Sequence, residues 1–217
     1  MYDRLLAHPL YAALCRASDA GEGNVLQHTD RATAAAQIAT ISWVVGRYGP
    51  PTTVIEVGTN KALFGYLLLS LLPVGHPFDY YTIDPDSRAA DAASVLGGYD
   101  RHIHNIAVHA HLGRSQEVLP ELLSRIPTPD LAWVDGEHTE EAVVSDLTHL
   151  AGAGTRIILI DDVRLLAEVR DGFLRWRASD AAVAYRIEEV PFPDDRRGIA
   201  IAIRRETDGP EQEADDA

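Results

Sequence analysis

Three aspartates and a histidine follow two apolar runs that have the composition of buried strands. Asp135 comes directly after the run DLAWV, with His138 three residues later, and Asp161 and Asp162 come directly after RIILI. If the runs are neighbouring strands of a parallel sheet, they lie about 5 Å apart and their carboxyl ends share one edge. Carboxylates held so close need a cation or a proton to offset their charge, and oxygen ligands suit Mg²⁺, Mn²⁺ or Ca²⁺. The spacing therefore predicts a divalent-metal site, with His138 placed to act as a base.

The same residues also have a structural interpretation. Asp135 is followed by Gly136, a pair typical of a turn. In the Asp161–Asp162 pair, one side chain can cap the helix that follows the strand. Residue types and spacing leave both interpretations open.

A glycine turn and a later aspartate indicate a nucleoside site. Gly58 follows the apolar run TVIEV, where the missing side chain allows a tight turn and close approach of a ligand. Asp84 follows the run YYTI, at a distance from Gly58 that suits an acidic residue accepting both ribose hydroxyls. The alternatives are an ordinary strand-to-helix turn at Gly58 and a turn or capping aspartate before Pro85.

Apolar runs alternate with helical patterns along the chain, which predicts an α/β fold built on a mostly parallel sheet. We expect helices on both faces and an antiparallel strand pair at the C-terminal end. Strands are predicted at 53–57, 80–83, 104–109, 130–134, 156–160, 185–190 and 198–204, and helices up to Tyr48 and over 62–72, 87–96, 115–125, 139–150 and 163–178. Thr139 is the expected N-cap of its helix, with Glu140 and Glu141 favourable in the first turn.

The chain resembles the class I S-adenosylmethionine-dependent methyltransferases over about residues 30–205. The runs that carry the resemblance are, in order, VIEVGTNKALFGYLLL, YYTIDPD, LGRSQEVLPELL, DLAWVDGEHTEEAVVSDL and IILIDDV. It is closest to the small-molecule O-methyltransferase branch whose fourth strand ends in Asp-Gly-x-His, which includes metal-dependent macrolide sugar O-methyltransferases and cephalosporin hydroxylase-like sequences. The resemblance implies a Rossmann-like seven-stranded sheet and an enzyme of natural product biosynthesis that methylates a hydroxyl of a sugar or other small molecule. Catechol-like and amine acceptors stay open as alternatives.

The resemblance also implies the roles of individual residues. Glu56 and Gly58 would lie against the methionine part of S-adenosylmethionine, Asp84 would hold its ribose, and Ser115 would lie near its adenine. The implied sets are Glu56, Gly58, Thr59, Asp84, Ser115 and Asp135 for the cofactor; Asp135, Asp161 and Asp162 for Mg²⁺ or another divalent cation; and His138 as the catalytic base.

Two positions depart from the family pattern. Ala62 stands where the family usually has glycine, and Arg114 stands where it often has an acidic residue near the adenine. Two alternatives therefore stay open: a non-methylating, hydroxylase-like enzyme on the same fold, and an interaction protein that has lost the cofactor site.

Composition narrows the range of partners. The formal net charge is −14 and Lys61 is the one lysine, a balance that repels nucleic acid and anionic lipid. No apolar run approaches the roughly 18 residues that cross a bilayer, and no signal peptide is recognised at the start. We therefore expect a cytoplasmic protein with a small-molecule acceptor and with neither nucleic acid nor membrane as partner. The resemblance favours a homo-oligomer.

The predicted organisation has three parts. Residues 1–50 form a helical segment in which Tyr2 and Tyr11 would belong to a lid, 51–205 form the cofactor-binding domain, and 206–217 form an acidic disordered tail.

Other conspicuous residues are assigned to packing. A zinc site among His102, His104, His109 and His111 is less favoured than a partly exposed strand. Trp43, Trp133 and Trp176 are interpreted as core or helix-face residues, with Trp133 pointing away from the neighbours of Asp135, and Cys15 as a small buried residue.

Overall fold

Seven strands alternate with six α-helices and one short 3₁₀ turn in the part of the chain that the computed structural model describes, residues 31–60, 62–99, 105–192 and 197–205. The strands are β1 (Thr53–Val57), β2 (Pro77–Asp84), β3 (Asn105–Leu112), β4 (Leu131–Val134), β5 (Ile157–Ile160), β6 (Tyr185–Pro191) and β7 (Gly198–Arg204). The helices are α1 (Arg31–Tyr48), α2 (Leu63–Leu69), α3 (Ser87–Tyr99), α4 (Ser115–Leu123), α5 (Glu140–Gly152) and α6 (Ala167–Arg177), and the 3₁₀ turn is Asp180–Ala182.

The strands form a single sheet in the order β3-β2-β1-β4-β5-β7-β6. All neighbours from β3 to β5 are parallel, whereas β7 runs antiparallel to both β5 and β6. This is the predicted Rossmann-like sheet with its C-terminal antiparallel pair. The chain order reverses between β1 and β4, which is where ligands bind in sheets of this kind.

The two faces of the sheet carry separate hydrophobic cores. Successive strand residues point to opposite faces, so Val54 packs in one core and Ile55 in the other. The first core takes apolar residues of α1, α2 and α3, and the second takes those of α4, α5 and α6. Both faces are covered, so β1, β4 and β5 are buried along their whole length.

Several helix and strand boundaries differ from the predicted ones. The helix expected from Val163 begins at Ala167, because Asp162 has a φ of 55° and its carbonyl accepts hydrogen bonds from the amides of Leu165 and Leu166 in a separate turn. Strand β3 extends to Leu112, three residues further than the predicted end. Helix α1 ends at Tyr48, as the Gly-Pro-Pro sequence predicts, and Gly49 follows with a φ of 85°.

The helix that follows β4 begins as the sequence predicts. The Thr139 side chain accepts a hydrogen bond from the Ala142 amide at 3.3 Å, and Glu140 and Glu141 lie in the first turn of α5. This cap fixes the start of α5 just beyond the segment that carries Asp135 and His138. Among the described helices, none is both long and apolar enough to cross a membrane.

Candidate active site

Two cavities open at the carboxyl edge of the sheet, on either side of the end of β1. The larger cavity, of about 590 Å³, is lined by Asp84, Ser115 and His138 among others, and the smaller cavity, of about 370 Å³, by Gln37, Glu56 and Asp161 among others. The residues common to both are Gly58, Asn60, Asp135 and Asp162. A ligand that occupied both cavities would pass directly over this shared set.

Three side chains gather at the junction of the cavities. Asp135, His138 and Asp162 each offer one ligand atom, and these atoms lie within 4.8 Å of one another. His138 Nε2 lies 3.1 Å from Asp135 Oδ1. That hydrogen bond raises the pKa of His138, while partial burial opposes the rise. Two carboxylates at this separation suit a hard divalent cation, and the His138 imidazole lies beside them.

Asp161 is not part of this group and is held by hydrogen bonds of its own. The amide of Gln37 donates from Nε2 to Asp161 Oδ2 at 2.9 Å, and the backbone amide of Asp162 donates to Asp161 Oδ1 at 2.9 Å. Burial raises the pKa of Asp161 well above its usual range, and the nearby Asp135 and Asp162 raise it further. Of the two adjacent aspartates, the structure thus brings Asp162 to Asp135 and His138 and holds Asp161 against α1.

Asp162 reaches the junction through an unusual backbone conformation. Its φ of 55° lies in the left-handed region, which costs a non-glycine residue energy and recurs at functional sites. Burial raises the pKa of Asp162, and Asp135 adds to the rise, while His138 and Arg197 lower it. The strained turn separates the two aspartates that directly follow the strand, a separation that spacing alone does not reveal.

Gly58 lies where the ends of β1 and β4 approach so closely that no side chain fits between them. It has a φ of 83°, and a Cβ built there would lie 1.9 Å from the carbonyl oxygen of Asp135. The amide of Asp135 in turn donates to the carbonyl of Val57 at 2.9 Å. The end of β1 therefore packs directly on the backbone that presents Asp135.

Asp84 joins the loops that follow β1 and β2. Its Oδ2 accepts from the amide of Asn60 at 2.8 Å, and its Oδ1 accepts from the amide of Asp86 at 2.8 Å. The turn interpretation of this aspartate is therefore realised. The side chain nevertheless lines the larger cavity, so its ribose role stays a prediction.

The backbone at Ala62 has a conformation that glycine adopts easily, which fits the glycine expected at this position from the family pattern. Ala62 is fully buried and has a φ of 54°, in the left-handed region that glycine adopts without strain. Its amide donates to the carbonyl of Thr59 at 2.6 Å. The loop thus follows a glycine-type path in spite of the alanine.

Glu56 and Thr59 lie in the wall of the smaller cavity. Glu56 is 1% exposed and its Oε2 accepts from the Tyr80 hydroxyl at 2.5 Å. Burial raises the pKa of Glu56 well above its usual range, and the Tyr80 hydrogen bond opposes this rise. Thr59 is 2% exposed, and its hydroxyl has no hydrogen-bond partner among the described residues.

Ser115 lines the larger cavity at the start of α4, and a buried carboxyl lies behind it. Its hydroxyl donates to Asp146 Oδ2 at 2.9 Å. Burial raises the pKa of Asp146 to about 7, because the Ser115 hydrogen bond only partly compensates for the lost solvent. Arg114 lines the same cavity, with its guanidinium Nη1 3.9 Å from Glu137 Oε2.

The prediction that Trp133 points away from the neighbours of Asp135 is wrong. Residues two apart on a strand share a face, and Trp133 lines the smaller cavity with Asp135 while its ring stacks on Phe64 at 4.8 Å. Trp176 is fully buried, as expected for a core residue, whereas Trp43 is 43% exposed and contacts Tyr48 edge-on.

The histidines of β3 surround an aromatic ring. Tyr81 stacks on His109 at 4.5 Å and lies 6.3 Å from His111, and His109 contacts Asp79 at 3.2 Å. Within the described ranges, the junction group is the one cluster of three or more potential metal ligands. His102, His104, Cys15, Tyr2, Tyr11 and the predicted tail lie outside the described residues.

Sequence reasoning missed three residues that shape the site: Gln37, Tyr80 and Asp146. Gln37 is 8% exposed, on the face of α1 that also buries Ile38 and Ile41. A polar residue on a buried helix face is the signal that would have singled it out. Asp146 gives the same signal, because it lies among the buried apolar residues of α5. Tyr80 gives no such signal, because its partner Glu56 is distant in sequence.

Comparison with known protein families gives one match. The model of the family described as a methyltransferase domain matches residues 55–163, about half of the chain, from β1 to just beyond Asp162. The match contains every predicted site residue. No curated protein matches the chain.

Solved structures of similar shape cover nearly the whole chain. The O-methyltransferase TomG from Streptomyces achromogenes, involved in tomaymycin synthesis and solved with S-adenosylmethionine, is 18% identical with a TM-score of 0.61, over 92% of this chain and 91% of that one. An O-methyltransferase from Bacillus cereus, solved with S-adenosylhomocysteine, is 16% identical with a TM-score of 0.61, over 94% and 90%. The N-methyltransferase NodS from Bradyrhizobium japonicum is 12% identical with a TM-score of 0.59, over 92% and 100%. These likenesses establish the fold, and they span two kinds of acceptor atom.

The close approach at Gly58 predicts a large effect of adding one methyl group. Gly58→Ala introduces both left-handed strain, about 1–2 kcal/mol, and a clash with the Asp135 carbonyl worth about 1–3 kcal/mol more. Gly49→Ala is the matched control, because Gly49 has a φ of 85° but nothing within 4 Å of its Cβ position. Urea unfolding should show a larger loss for Gly58→Ala than for Gly49→Ala. Equal losses would contradict the packing described.

The raised pKa of Asp146 predicts a pH-dependent stability. An unfolded aspartate titrates near 3.9, so the favourable contribution of the neutral carboxyl is fully present below that pH and is lost as the pH rises through about 7. The free energy of unfolding should therefore fall less between pH 5 and 8 in Asp146→Asn than in the unmodified chain, and the pairwise difference isolates this group from other buried carboxyls. Asp171→Asn, on the exposed surface of α6, is the control and should keep the original profile. The same profile in Asp146→Asn would contradict the assignment.

Proposed function

The chain belongs to the family of methyltransferase domains, and we propose that it transfers the methyl group of S-adenosylmethionine to a hydroxyl of a small molecule, assisted by a divalent cation. Membership of the family confirms the methyltransferase predicted from the sequence. The observation that carries the finer proposal is the group of Asp135, His138 and Asp162 at the junction of the two cavities.

The two cavities suit the two ends of the cofactor. The larger cavity has Asp84 at the end of β2 and the N-terminus of α4 in its wall, as a nucleoside site next to the chain reversal requires. The smaller cavity holds buried polar side chains of Glu56, Thr59 and Gln37, which suits the charged amino-acid end. With the cofactor in both, its sulfonium lies over the shared residues.

The donor set at the junction fits a hard divalent cation. Asp135 and Asp162 would hold Mg²⁺, since the two carboxylates face one another in a partly buried site, where like charges need compensation. When bound, Mg²⁺ lowers the pKa of the acceptor hydroxyl and fixes its direction. Asp161 stays a predicted ligand, and its hydrogen bonds to Gln37 and to the Asp162 amide favour a supporting role instead.

His138 is placed to take the proton of the acceptor. Its ring lies at the junction, beside Asp135, on the loop that leads into the capped start of α5. Asp135 orients the ring and stabilises its protonated form, which is the state produced when the hydroxyl oxygen loses its proton and takes the methyl group. The acceptor proposed is a hydroxyl of a sugar or another secondary metabolite.

Two observations support cofactor binding in spite of the departures from the family pattern. Ala62 adopts the backbone conformation that a glycine would supply, so the cofactor loop keeps its path. Arg114 and Glu137 lie next to each other in the lining of the larger cavity, so an acidic side chain is present beside the proposed adenine position.

The proposal predicts transfer of an isotopically labelled methyl group. The chain is incubated with methyl-labelled S-adenosylmethionine, Mg²⁺ and a panel of sugars, phenols and aliphatic alcohols, and labelled ethers are detected by mass spectrometry. We expect transfer to oxygen that EDTA suppresses. His138→Ala should lower turnover about 10²–10⁴-fold with S-adenosylhomocysteine affinity within about threefold, because His138 acts on the acceptor.

His149→Ala is the control, since His149 lies on α5 and lines neither cavity at the junction. Turnover of His138→Ala within about threefold of the unmodified chain would mean that His138 is not the base. Cofactor binding with no labelled product across the panel would support a non-methylating enzyme on this fold. A folded chain that binds no S-adenosylhomocysteine would support the interaction protein.

A further inference from the structure

Gln37 is a buried polar residue at the site that lies outside the part of the chain matched by the family. It is on α1, 8% exposed, and lines the smaller cavity with Glu56 and Thr59. The matched region begins at residue 55. Helix α1 thus brings to the cofactor edge a side chain that family membership does not assign.

The amide of Gln37 is only half satisfied by the protein. Nε2 donates to Asp161 Oδ2 at 2.9 Å, while Oε1 is buried with no hydrogen-bond partner among the described residues. The Thr59 hydroxyl in the wall of the same cavity is in the same state. A buried acceptor left without a donor costs about 1–3 kcal/mol, so the residues that line this cavity include two acceptors whose donors the described protein does not supply.

The surroundings select a cationic donor. The smaller cavity is lined by the carboxyls of Glu56, Asp135, Asp161 and Asp162, and Arg197 is the one basic residue in its described lining. An ammonium group carries several N–H donors and a charge that this lining attracts. A carboxylate at the same point would meet acceptors and like charge.

We infer that Gln37 positions the amino-acid end of the cofactor, with its Oε1 accepting a hydrogen bond from the α-ammonium while its Nε2 holds Asp161 clear of the metal position. The inference rests on the proposed function, because it takes the amino-acid end to lie in the smaller cavity. Gln37 acts on the ligand and on Asp161 together, and it makes docking of α1 on the sheet a condition for tight cofactor binding.

The test compares two probes that differ in the amino-acid end. S-adenosylhomocysteine carries that end, and 5′-methylthioadenosine has the same nucleoside thioether without it. Calorimetric titration without divalent metal gives both dissociation constants for the unmodified chain and for Gln37→Met, which keeps the side-chain length but removes the amide oxygen and the amide nitrogen. We expect Gln37→Met to weaken S-adenosylhomocysteine about tenfold, the effect of losing one charge-assisted hydrogen bond, and to change 5′-methylthioadenosine by less than about twofold.

Two further variants separate this role from a structural one. Thr40→Val removes a buried hydroxyl on the same helix. The Thr40 hydroxyl donates to the Ala36 carbonyl, and Thr40 lines neither cavity. This variant should therefore keep both dissociation constants within about twofold of those of the unmodified chain. Gln37→Glu keeps an oxygen acceptor at the same reach, and it should bind S-adenosylhomocysteine more tightly than Gln37→Met does.

The outcomes are distinct. Equal weakening of both probes by Gln37→Met, or no weakening of either, would overturn the role of Gln37 while leaving the cofactor assignment intact. Failure of the unmodified, folded chain to bind either probe would overturn the proposed function, and the inference with it. If Gln37→Met does not fold, Gln37→Ala takes its place and is judged by the same outcomes.

Discussion

Four carboxyl groups are concentrated at one edge of the sheet, and the arrangement around them depends on keeping their charges compatible with burial. Glu56, Asp135, Asp161 and Asp162 all line the smaller cavity. Burial raises the pKa of Glu56, Asp161 and Asp162, and Asp135 raises each of these pKa values further. Charges so close in a partly dry site are tolerated only with nearby donors or cations.

Three of these four carboxyls have a side-chain partner in the described part of the chain. Tyr80 donates to Glu56, Gln37 donates to Asp161, and His138 lies against Asp135. The partners come from β2, from α1 and from the loop after β4, so the acidic edge ties together elements that are far apart in sequence. Asp162 lies beside Asp135 and His138 because its backbone has a left-handed φ. Its carboxylate is the one whose charge a bound divalent cation would offset.

The order of the strands and the packing of the backbone place these carboxyl groups at the same edge of the sheet. β1 lies between β2 and β4, and the end of β1 packs on the Asp135 carbonyl because Gly58 has no side chain. Gly58 and Asp135 line both cavities. A single glycine therefore determines how closely the backbone approaches where the two cavities meet.

The sequence predicts the sheet well because buried parallel strands leave continuous apolar runs, and the residues directly after such strands must share an edge. The grouping of Asp135, His138 and Asp162 follows from that rule. The separation of Asp161 from Asp162 does not, because it depends on a left-handed φ that spacing cannot encode. The contacts of Gln37, Tyr80 and Asp146 are not predicted either, since each side chain bonds a partner on another element. The misplaced Trp133 is different: strict alternation along β4 already puts it on the face of Asp135.

A crystal structure with S-adenosylhomocysteine and Mn²⁺ tests the central claim most directly, because anomalous scattering locates the metal independently of the protein. We expect Mn²⁺ bound by Asp135 and Asp162, the nucleoside in the larger cavity with its ribose on Asp84, and the amino-acid end in the smaller cavity beside Gln37. Mn²⁺ elsewhere, or a nucleoside outside the larger cavity, would contradict this claim.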